Sequence, residues 1–164
     1  MSSIASFWTL PATARSAIVE AFKPVTKRRW LFSRKTIYPW FDWMQKHAHE
    51  EADFNRGGSA MVDFELITTG TAGSVLALGL PESDSLSQSS GASVALLDNA
   101  AARLAISRLQ SLTLSEEDVV RFYDADSRPE DWRCEPASIV AAHRQLVSWC
   151  RTVGPDRIGL LMVG

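Results

Sequence analysis

The spacing of apolar residues changes repeatedly along the chain. SIASFWTL at 3–10 is rich in Ile, Phe, Trp and Thr and predicts a short buried strand. Pro11 suits the first turn of a helix, and ATARSAIVEAFK places Ala17, Ile18, Ala21 and Phe22 near one side until Pro24 ends it. A second helix is predicted from Pro39 through QKHAHEEADF at 45–54. At 100° per residue, Trp40, Phe41, Trp43, Met44, Ala48, Ala52 and Phe54 share one broad face of it. SAMVDFELITT at 59–69 fits two readings. Val62, Phe64 and Leu66 alternate with Asp63 and Glu65 as in a strand, while Ala60, Met61, Phe64, Ile67 and Thr68 fit a helix capped by Ser59.

The second half reads more simply. PESDSLSQSSGAS, at 81–93, is polar and Ser-rich and predicts a mobile loop within a single domain spanning 1–164. Asp98 is a good cap for a helix striped by Ala101, Leu104, Ala105, Leu109 and Leu112. Ser115 followed by Glu116, Glu117 and Asp118 is a helix start whose acids suit the dipole. Residues 124–136 are an acidic connector holding Trp132. A final helix over 136–153 repeats Ile139, Val140, His143, Leu146, Val147 and Cys150 at three- and four-residue spacing. RIGLLMV at 157–163 is nearly all apolar, so it belongs inside a sheet and not at its margin.

Composition bounds the class. At 164 residues, with 46 % hydrophobic and 22 % charged residues, the chain can bury a core as one domain. No run approaches the roughly 18 apolar residues of a membrane helix, and the N-terminus is a poor signal peptide. Cys134 and Cys150 have no framework spacing and read as reduced thiols. A cytoplasmic protein with no membrane partner is expected. The net charge of −2 hides an asymmetry: residues 1–46 carry +6 and the remainder −8. The basic part centres on KPVTKRRWLFSRK at 23–35, where Trp30 and Phe32 interleave with cations. It reads as a solvated connector, because the acidic remainder repels a polyanion and so disfavours nucleic acid.

This order of elements resembles the YfbM-like family of small bacterial proteins, a domain of unknown function. The likeness rests on RIGLLMVG after an amphipathic helix, on AARLAISRLQSLTLSEEDVVRFY at 101–123, on IASFWTLPATARSAIVEAF at the start, and on DFELITTGT at 63–71. The last resembles a short family helix ending in Leu-Thr-Gly-Thr, which favours the helical reading of 59–69. Thr68 stands where the family usually has Leu, and Met61 and Glu65 replace its frequent Trp and His. The resemblance implies an α+β fold, a small mixed sheet flanked by several helices, and implies no activity.

Candidate chemistry is sparse. His47 and His49 lie two apart and would leave opposite sides of a helix, so no metal site and no cofactor is expected. On the predicted helix His49 and Asp53 join the solvated face. His47 and Glu51 fall among the aromatics with Trp43, as a hydrogen-bonded core pair, as a helix end that leaves the core, or as a pocket with a tuned acid and base. TTGTAGS at 68–74 reads as a cap and turn, since it lacks the lysine and spacing of a phosphate loop. Catalysis is not favoured. The expected function is protein binding, with Glu116, Glu117, Asp118, Asp124, Asp126, His49 and Asp53 as an acidic surface for a basic partner. Its most specific form is an immunity protein that occludes the active site of a cognate toxin. The alternative is a small-ligand-binding protein or hydrolase with a pocket at Trp43, His47 and Glu51.

Overall fold

The computed structural model describes residues 5–30, 33–52, 54, 56–69 and 73–164. Ile4, Phe32, Asp53 and the 70–72 part of the 68–74 turn lie outside the described residues. Four strands form the main sheet in the order β4-β1-β6-β5: β1 (Ala5–Pro11), β4 (His49–Glu50), β5 (Ser93–Leu97) and β6 (Arg157–Val163). Every pair in it is antiparallel, which corrects the mixed sheet expected, while the α+β class stands. β6 pairs with β1 over its whole length and with β5 over 159–163, so both its edges are paired, and helices cover both its faces, as its unbroken apolar run requires. The period of two then divides the core. Ile158, Leu160 and Met162 meet one set of helices, and Leu161 and Val163 meet the other. Gly159 is needed because a Cβ there would sit 2.5 Å from Cζ of Phe7, whose ring stacks on Trp149.

The first layer contains α1 (Arg15–Phe22), α2 (Trp40–His47) and α4 (Ser83–Ser90), which bury Ile18, Phe22, Met44 and Leu86. The second contains α3 (Gly58–Thr68), α5 (Asn99–Ser111), α6 (Glu116–Ala125) and α7 (Pro136–Arg151). Asp98 caps α5 by accepting from the Ala101 N–H at 2.8 Å, and Ser115 and Asp118 form a capping box on α6. The ambiguous segment is helix α3. It is apolar around most of its circumference and buries Ala60, Met61, Phe64 and also Asp63 and Glu65.

Three expectations change. Residues 23–35 do not form a plain connector: β2 (Val25–Trp30) and β3 (Ser33–Ile37) pair as an antiparallel ribbon with Lys27 opposite Lys35 and Arg28 opposite Arg34. The loop expected at 81–93 contains α4. Its serines recur at helical spacing, and Ser83 and Ser87 accept from the Leu96 and Val94 N–H groups of β5, each at 2.9 Å. Four helical residues rise about 6 Å and two strand residues about 6.6 Å, so the two repeats stay in step. Gly91, at φ 74°, closes the helix in the left-handed region. Finally, the helix expected over 39–54 stops at His47. Ala48 is extended, and His49 and Glu50 pair with Thr9 and Trp8 of β1. The open edge of β1 outcompetes a local helical pattern that was equally consistent with the residues.

Candidate functional site

The end of α2 separates the predicted pocket residues. His47 is exposed and rests its ring against Trp43, with centroids 4.8 Å apart. Glu51, half-buried, lies beyond β4 and takes its hydrogen bond from the Thr9 hydroxyl at 2.9 Å. Thr9 in turn accepts from the Arg157 guanidinium at 2.8 Å. Glu51 therefore has the partner that its position demanded, but the partner is Thr9 and not His47. His49 is exposed on β4, and Asp53, its expected neighbour, lies outside the described residues. His143 donates from Nε2 to the Leu109 carbonyl at 2.7 Å and stacks on Phe64, as a satisfied histidine of the helical layer.

The acidic residues of α6 are brought together with the connector that follows. Glu116 and Glu117 are exposed in the first turn of α6 and border a shallow hollow of about 400 Å³ with Val120, Arg121 and Pro136. Asp118 is committed to capping. Ser115 and Arg121 hold its carboxyl down at about 2, the Ser115 hydroxyl and N–H bonds contributing most. Asp124 pairs with Arg133 at 2.9 Å and Asp126 with Arg128 at 3.1 Å. Three of the five acids expected at 116–126 thus hold local structure, while Glu116 and Glu117 face outward with Glu130 and Asp131.

Beneath the connector lies a network that the sequence did not advertise. Asp63 of α3 is 5 % exposed and accepts from the Tyr123 hydroxyl of α6 at 2.5 Å and from the Arg128 guanidinium. The Tyr123 oxygen also accepts from the Cys134 N–H at 3.0 Å. Burial, then the bond to Asp63, raises the Tyr123 phenol above its usual range. Arg128 and Arg133 lie over the Tyr123 ring at 5.3 and 5.6 Å, and Arg133 Nε donates to the Arg128 carbonyl at 2.8 Å. This fixes both ends of the short turn Glu130–Trp132. Trp132 projects from it 73 % exposed, the most exposed large apolar side chain among the described residues.

Glu65, on the same helix, is also 5 % exposed and has a different environment. It accepts from the Ser74 hydroxyl at 2.7 Å and from the Val75 and Leu76 N–H groups at 3.1 and 3.3 Å. Burial raises its carboxyl above the ordinary 4.5, against the pull of these donors. Burial also pushes the thiol of Cys150 up to about 12 and that of Cys134 up to about 11, so both stay protonated at neutral pH.

Asp63 and Glu65 carried one legible signal. A helix with Met61, Val62, Phe64, Leu66 and Ile67 spread around it leaves its two acids no solvated face. Among the described residues no group of three or more His, Cys, Asp or Glu is placed to hold a metal ion, and no helix is long and apolar enough to cross a membrane. No family model, curated protein or solved structure matches the chain.

Proposed function

We propose that this chain is a non-catalytic protein-binding domain that docks a basic partner on the face formed by α6 and the 126–134 connector. The observation that carries the reading is Trp132. An indole 73 % exposed, on a short turn that also carries the carboxylates of Glu130 and Asp131 and is flanked by the salt-bridged Arg128 and Arg133, suits an anchor inside a charged rim. α6 also carries the exposed Glu116 and Glu117, which border a hollow of their own. The two-arginine network beneath Trp132 keeps the turn ordered before binding, which reduces the entropy lost on association.

The specific form of this proposal is a cytoplasmic immunity protein of a bacterium, related to the YfbM-like family, that covers the basic active site of a cognate toxin. The test is rescue. Co-expression should protect cells from the toxic product of an adjacent gene, and the two proteins should co-purify. Trp132→Ala should weaken the complex by about 30-fold or more, as removal of a central tryptophan does, with an unchanged circular dichroism spectrum. Absence of both rescue and complex would remove the reading.

A further inference from the structure

The β2–β3 ribbon offers a second surface, opposite in charge to the one on α6. Residues 24–41 contain no Asp or Glu, and Lys27, Arg28, Arg29, Arg34 and Lys35 all fall on the two paired strands. The register sets four of them in opposed pairs. Lys27 stands across from Lys35 on the face shared with Val25 and Ile37, and Arg28 across from Arg34 on the face shared with Thr26 and Thr36. Each face of the ribbon therefore carries a pair of cations. At its base Val25 is 43 % exposed on one face, and Thr26 and Thr36 are exposed on the other, so the helical layers leave both faces open there. The ribbon forms a sheet of its own rather than extending the main one.

Like charges directly opposite each other weaken strand pairing, and a two-stranded ribbon is marginal to begin with. Phosphates around the pairs offset that repulsion. We propose that the ribbon is a DNA-binding arm that enters the major groove of a duplex and neutralises phosphates on both walls. That groove, about 12 Å wide, admits a two-stranded ribbon. A flat anionic membrane would meet one face and leave the other pair in water, whereas a groove has phosphates on two sides. The acids of the partner face on α6 lie elsewhere. β2 follows α1 and β3 leads into α2, so the ribbon is rooted in the first layer, while Glu116, Glu117 and the acidic connector belong to the second, across the sheet. In the first layer Glu20 pairs with Lys23 and Glu82 with Arg15.

Fluorescence anisotropy of a short labelled DNA duplex, titrated with the full chain at several salt concentrations, tests the arm. Log affinity should fall against log salt with a slope of about −3 to −4, near −0.9 for each opposed cation. Arg28→Gln with Arg34→Gln should reduce the slope by about 2, and Lys27→Gln with Lys35→Gln should do the same. Arg28→Lys with Arg34→Lys keeps the charges and should keep the slope, which separates phosphate contact from loss of the ribbon. Arg103→Gln with Arg144→Gln makes an equal change in net charge at exposed positions of α5 and α7 and should leave the slope alone. Duplex RNA, whose major groove is too narrow for a ribbon, should bind more weakly than the DNA. Absence of salt-dependent binding, a response confined to one pair, an equal loss from the α5 and α7 variant, or tighter binding to phosphatidylserine vesicles than to the duplex overturns the proposal.

Discussion

Asp63 and Glu65 stand two residues apart on one helix, equally buried, and the protein satisfies them in opposite ways. Asp63 meets a full positive charge and a phenol, drawn from α6 and the connector. Glu65 meets only neutral donors, a serine hydroxyl and two backbone N–H groups at the start of the following turn. The second environment lets burial prevail and raises the Glu65 carboxyl. Two acids at equal depth are thus satisfied by donors of different charge. The difference also assigns roles. Asp63 ties down the surface that presents Trp132, whereas Glu65 closes a turn within its own neighbourhood.

The largest way to break this contrast is Asp63→Ala. It leaves Arg128, whose side chain is only 18 % exposed, beside an empty pocket and deprives Tyr123 of its acceptor. Urea denaturation should show a loss of about 3–5 kcal/mol, as for removal of one partner of a buried pair. Ser74→Ala should cost about 1–2 kcal/mol by the same measurement, because Glu65 loses its shortest hydrogen bond. It should also push the Glu65 carboxyl still higher.

Glu65 itself sharpens the comparison through pH. Its folded-state carboxyl titrates above the ordinary 4.5, so its protonated form is the one folding favours. Its contribution is fully present below pH 4.5 and is lost as the pH rises through the raised value. Glu65→Gln should flatten stability against pH above 4.5, seen in thermal melts across that window. A slope that survives the substitution would place its origin elsewhere. The smallest effect should come from Asp126→Asn. That carboxylate also contacts Arg128 but is 44 % exposed, and water screens the pair to about 0–1 kcal/mol. A large loss there would mean that the connector, and not Asp63, holds the network together.

How much of this was legible in the sequence follows from the range of the forces involved. β6, α5, α6 and α7 write themselves in apolar spacing and caps, because each faces one environment along its length. β4 does not: a helix and a short strand are both compatible with QKHAHEEADF, and the edge of β1, some forty residues earlier, decides. Residues 81–93 look featureless because their polar side chains serve a neighbouring strand rather than water. The acids of α6 were visible, yet the neutralising Arg128 and Arg133 become evident only once the connector folds back on Tyr123. Asp63 lies sixty positions from Tyr123, and no local pattern can pair them.

The hydroxyl seam between α4 and β5 has a consequence for how this molecule meets others. The outer amides of Val94 and Leu96 are occupied by Ser87 and Ser83, and Leu80 N–H already takes the carbonyl of Leu96. A stray extended peptide, or the same strand of another molecule, finds few main-chain groups there on which to zip. At this edge the sheet is in effect terminated rather than left open to growth. Crowded copies should resist polymerising through this edge, and a phosphate placed on either serine would unseal it.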